Sequence, residues 1–113
     1  MHFLYLKIPV VNQGAHEIHK LEDKVDEILK EAGMGSVAGW GDSLGAALPD
    51  GTRPVAYTRI DIDVWNLASA RSFLQAQLPD AGAPADTEIH YTIDYRHYKD
   101  IYAQSGWLLR QLS

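Results

Sequence analysis

The chain contains no cysteine, which excludes a disulfide scaffold, thiolate metal sites and a cysteine nucleophile in one step. It also lacks any apolar run near the ~20 residues that span a bilayer. Met1-His2-Phe3 leads straight into a strand-like alternation instead of the charged and then apolar order of a secretory signal. The expectation is a cytoplasmic protein with no membrane partner. Basic residues are scarce. Lys plus Arg total 10 against 15 Asp plus Glu, a formal charge of −5, which argues against phosphate-backbone binding as the main task. No nucleophile elbow, P-loop or Ser-His-Asp order is present. Gly33-Met34-Gly35 and Gly39-Trp40-Gly41 follow a helix-like segment instead of joining strand to helix, so they read as turns, not dinucleotide loops. No cofactor is expected.

What is present is a core. Hydrophobic residues make up 46% of 113 residues, enough for one domain over 1–113 and too few for two. Residues 2–11 alternate, with Leu4, Leu6, Ile8 and Val10 on one face and Phe3, Tyr5 and Lys7 on the other. Residues 15–32 place Ile18, Leu21, Val25, Ile28, Leu29 and Ala32 on one helical stripe, stopped by Gly33. A short strand is expected over 36–42, then a glycine-rich connection. Residues 55–65 alternate Ala56, Thr58, Ile60, Ile62 and Val64 with Tyr57, Arg59, Asp61, Asp63 and Trp65. The first set must face the core, because burying the second would strand several ions.

Asn66 caps a second helix from Leu67 to about Leu78, which Pro79-Asp80-Ala81-Gly82 ends. Residues 87–95 resume strand alternation. The apolar segment 97–113, with Trp107, Leu108 and Leu109, is expected to pack on the domain or on a partner. The order predicts an α+β fold of ferredoxin-like βαββαβ type, with two helices on one face of an antiparallel sheet.

In the strand order 4-1-3-2 of that fold, the polar strand faces meet on one open surface. It would gather Tyr5 and Lys7, then Tyr57, Arg59, Asp61 and Asp63, then Glu88, His90, Thr92 and Asp94, with Trp40 and Asp42 from the second strand. Such a face is either solvated sheet or an interface, since exposed aromatics mixed with charges mark binding surfaces. Metal chemistry is weighed and set aside. Asp61 and Asp63 point the same way, but Arg59 and Lys7 compete as counter-ions. His16, His19 and Asp23 have helical ligand spacing without a complete ligand set. RNA recognition is disfavoured too, because Asp61 and Asp63 lie beside Tyr5 and Tyr57.

A small, acidic, cysteine-free domain without a catalytic set resembles the immunity proteins of bacterial toxin–immunity pairs in size, charge and expected fold. The resemblance implies a non-catalytic protein-binding module that neutralises a basic toxin domain. Asp42, Asp61, Asp63 and Glu88 would meet the toxin, with Trp40, Tyr57 or Trp107 as anchors. The alternative is a small enzyme of the dimeric α+β barrel type, in which His90 serves as acid or base in a pocket with Tyr5, Tyr57 and Arg59. A structural homodimer covered by the segment around Trp107 is a third reading.

Overall fold

The computed structural model describes residues 1–9, 15–44, 47, 49–51 and 55–112; the side chains of 15–19, 42–44 and 55–56 lie outside that description. The elements are β1 (His2–Pro9), α1 (Ala15–Glu31), β2 (Gly35–Leu44), β3 (Val55–Val64), α2 (Leu67–Ala81), β4 (Glu88–Ile93), β5 (Arg96–Ala103) and β6 (Gly106–Leu112). They build an α+β fold around one six-stranded sheet of order β2-β3-β1-β4-β5-β6, antiparallel throughout.

The alternation of β1, β3 and β4 lays down the core. Leu4, Leu6, Ile8, Ile60, Ile62, Val64, Ile89 and Tyr91 share one face of the sheet and are buried with Leu21, Val25 and Leu29 of α1 and Ala70, Leu74 and Leu78 of α2. Both helices therefore bury their stripes on the same side. Ile28 is only half-buried and Ala32 is exposed, so the stripe of α1 is narrower than its sequence pattern. Gly33 stops α1 in the left-handed region at φ +67°, a conformation that favours glycine. Asn66 caps α2 as expected, its side-chain oxygen accepting from the Ser69 amide at 2.9 Å.

Three expectations are corrected. First, α2 does not stop at Leu78 but runs through Pro79 to Ala81, closed by Gly82 at φ +96°. Proline has no N–H for the carbonyl four residues back, that of Gln75. That carbonyl is instead satisfied by the Trp107 indole N–H at 2.8 Å, so the helix survives its proline.

Second, the strand over 87–95 ends at Ile93. Asp94 and Tyr95 form a two-residue hairpin at φ +51° and +66°, between paired Ile93 and Arg96. Two positive φ values suit a type I′ turn, whose twist matches the flanking strands. Asp94 is thus turn and not sheet face.

Third, residues 96–112 do pack on the domain, one of the two outcomes expected, but as strands of its sheet and not as an extension beside four strands. They form β5 and β6, which add two strands beyond the four expected. What holds them is Asp100, fully buried at 0% exposure. Its Oδ1 accepts from the Arg71 guanidinium, the Tyr91 hydroxyl and the Arg110 amide, each at 2.8 Å. Its Oδ2 accepts from Arg71 Nε at 2.9 Å and from Gln75 Nε2 at 3.0 Å. One carboxylate thereby ties α2 to β4, β5 and β6. A register shift beside it places Arg110 at φ +54°.

Candidate functional site

The sheet face opposite the helices is the candidate site. Strand alternation brings Phe3, Tyr5 and Lys7 of β1, Tyr57, Arg59, Asp61 and Asp63 of β3, and Glu88, His90 and Thr92 of β4 onto it. The added strands contribute His97, Lys99 and Ile101 of β5 and Leu108 of β6.

Across its middle the side chains stand in a rank. The Arg59 guanidinium lies 3.9 Å from the Tyr5 ring centre. Tyr5 stacks on His90 at 4.5 Å with the planes 7° apart. Next, His90 Nδ1 meets His97 Nε2 at 3.0 Å. On its other side His90 Nε2 lies 2.7 Å from Glu88 Oε1. His90 is therefore only 5% exposed on a face that no helix covers.

Burial dominates the titration of His90 and lowers its pKa. Glu88 pulls the other way, and His97 and Lys7 reinforce the lowering. A neutral His90 fits one tautomer, in which Nε2–H donates to Glu88 and Nδ1 accepts from the Nε2–H of His97. Tyr5 has its pKa raised, chiefly by burial, against the opposing charge of Arg59.

Two of the three carboxylates of the face, Asp61 and Glu88, already have cations. Asp61 Oδ1 accepts from Arg59 Nε at 2.6 Å. Glu88 Oε2 lies 3.9 Å from Lys99 Nζ, besides its bond to His90. Lys7 sits over the Tyr57 ring at 4.6 Å. Beside it opens a groove of about 280 Å³ lined by Lys7, Pro9, Tyr57, Asp86 and Glu88.

Of the expected binding residues, Tyr57, Arg59, Asp61, Asp63, Glu88 and His90 come together on this face. Trp40, Asp42 and Trp107 do not. A register shift between Val37 and Gly39 reverses the alternation of β2, so Trp40 stands opposite Ile60 and Asp42 opposite Thr58. Both positions belong to the helix-bearing side, where Trp40 is 45% exposed; the Asp42 side chain lies outside the described residues. Trp107 is drawn to the same side by its bond to Gln75. The side chains of His16 and His19 are outside the description as well. Among the described residues, no group of three or more His, Cys, Asp or Glu is placed to hold a metal ion.

Sequence reasoning missed His97 and Lys99, because pairing them with His90 and Glu88 needs the β4–β5 hairpin. It also missed Asp100 and Arg71. The available signal was the lone acid between Tyr98 and Tyr102, in phase with two rings that face the helices. Comparison with protein-family models, curated proteins and solved structures finds no match to the chain. Among the described residues no helix is long and apolar enough to cross a membrane.

Proposed function

We propose that the protein is a non-catalytic protein-binding module whose uncovered sheet face receives its partner. One observation carries the reading: the rank Arg59–Tyr5–His90–His97, built before any partner arrives. Side chains already held by stacking lose little rotamer freedom on binding, and aromatics with arginine dominate interface energetics. We further read residues 2–93 as a ferredoxin-like unit, βαββαβ, to which β5 and β6 are added. A cytoplasmic setting belongs to the same proposal, one in which a chain without cysteine loses nothing.

The resemblance to immunity proteins narrows the partner to a basic toxin domain, and the formal charge of −5 supports that form. The face itself supports it less, because Asp61 and Glu88 are spent on Arg59, His90 and Lys99. α1, with five acids against three lysines among its described side chains, is the more attractive surface for a cation-rich domain.

The enzyme reading has one observation in its favour: Glu88 links His90 to the groove. Against it, both ring nitrogens of His90 are occupied by side chains, which leaves none for a substrate proton.

The test is affinity capture with the intact protein and with Tyr5→Ala and Thr92→Arg variants. A partner retained by the intact protein and by Trp40→Ala, but lost from both face variants, supports the reading. Equal retention by all four overturns it.

A further inference from the structure

The strand residues of the uncovered face carry Lys7, Arg59 and Lys99 against Asp61, Asp63 and Glu88. Three cations and three anions sum to zero, so the formal charge of −5 resides on the rest of the chain. Two copies that each carry this net negative charge repel on average, whereas the charged strand residues of this face add nothing to that repulsion. Like charges oppose most contacts between two such molecules, whereas a neutral patch with separated charges of both signs can meet itself without penalty.

Size and polarity agree. Six strands at about 4.8 Å spacing, each about seven residues of 3.4 Å, present on the order of 600 Å² in projection. Side-chain relief brings this toward the ~800 Å² per partner of a stable interface. Phe3 at 48% and Leu108 at 46% exposure stand on it, one on β1 and one on β6. They flank the Arg59–Tyr5–His90–His97 rank on opposite sides, in the pattern of apolar contacts around a preorganised centre.

Resting on the reading of this face as a protein-binding surface, we propose that its occupant is a second copy of the chain, seated face to face about a two-fold axis. In such a pairing each residue acts twice, and the ion pairs of one copy lie against those of the other. The two sheets pack at about 10 Å, the ordinary spacing of stacked sheets. His90 and Tyr5 then lie at the middle of the interface, and both helix layers face solvent with their excess acid.

The test is sedimentation equilibrium of the full chain from about 1 µM to about 100 µM, a range in which interfaces of this size associate. The expected species is a dimer. Phe3→Glu and Leu108→Glu each weaken it about 100-fold, roughly tenfold for each of two symmetric sites. Trp40→Ala, on the helix side, leaves the mass unchanged. Circular dichroism verifies that each variant is folded, and the wild-type mass decides the matter should a variant fail to fold. A monomer at the highest concentration overturns the proposal, as does a dimer indifferent to both face substitutions. If the chain is monomeric yet captures a different protein through this face, the second copy is excluded and the binding-module reading stands. A monomer with no face-dependent partner removes both.

Discussion

The indole N–H of Trp107 donates to the carbonyl of Gln75, the acceptor that Pro79 leaves without a helical donor. A residue in the last strand thus repairs a defect in a helix more than thirty positions earlier. The relationship predicts non-additive stability. Trp107→Phe should cost about 1–3 kcal/mol by leaving that carbonyl unpaired. In a Pro79→Ala background, where the helix supplies its own N–H, the same substitution should cost clearly less. A double-mutant cycle by urea denaturation measures the difference, and equal costs in both backgrounds would remove the coupling.

Asp100 should be the most sensitive polar position of the molecule. Burial alone would raise its pKa, but hydrogen bonds from Arg71, the Arg110 amide and Tyr91 outweigh burial and hold it below the ordinary carboxylate value. Tyr91, desolvated and donating to that carboxylate, is pushed up to about 12. Asp100→Ala leaves the Arg71 guanidinium without its partner in a largely buried site, at an expected cost of about 3–5 kcal/mol. Asp100→Leu combined with Arg71→Met should recover much of that loss in thermal melts.

The His90 imidazole sets the pH response near neutrality. Its folded pKa lies below the unfolded value of about 6.5, so the unfolded chain takes up the proton more readily. Its contribution is fully present above that unfolded value and declines as the pH falls toward the folded one. The urea midpoint should therefore drop on acidification from about pH 7.5 to about 5.5. His90→Gln should flatten that slope. Asp26 and Asp100, with lowered pKa values, contribute their losses only in the more acidic range below the usual carboxylate value. An unchanged slope in the variant would assign the response to another group.

Glycine at position 35 is required by packing. A Cβ there would run into the carbonyl oxygen of Asp63 on β3, whereas one on Gly39 or Gly41 meets open space. Gly35→Ala should cost about 1–3 kcal/mol as β2 is pushed from β3. Gly39→Ala should change stability little. Denaturation of the two variants side by side tests the contrast.

Much of the architecture was legible because its elements are strongly periodic. Leu4, Leu6 and Ile8 with Ile60, Ile62 and Val64 announce two half-buried strands, and Leu21, Val25 and Leu29 an amphipathic helix. The β4–β5 hairpin was not legible. Its turn uses Asp94-Tyr95, and tyrosine with positive φ carries none of the Asn-Gly or Asp-Gly signal that marks such turns. Missing it hid two strands and with them the partners of His90 and Glu88. Trp40 was misplaced for a different reason. One register shift before it inverts the positions that follow as far as Ser43, where a second shift intervenes, and a shift set by pairing leaves no trace in composition. The site was thus half visible: β3 and β4 supplied six expected binding residues and β1 added Tyr5 and Lys7, while tertiary pairing supplied the rest.

The two outer strands of the sheet share an irregularity with consequences for how copies of the chain can gather. β2 slips register between Val37 and Gly39, where the Val37 amide turns to Asp26 instead of to a strand, and β6 is kinked at Arg110, whose amide turns to Asp100. A rim with evenly spaced amides and carbonyls would template strand after strand, and such growth has no natural end. Here both rims are out of step with any incoming strand. A two-fold pairing through the broad face, as proposed, is instead self-limiting, because each molecule's face is then occupied by the other. The kinks thereby favour a closed assembly over a fibre.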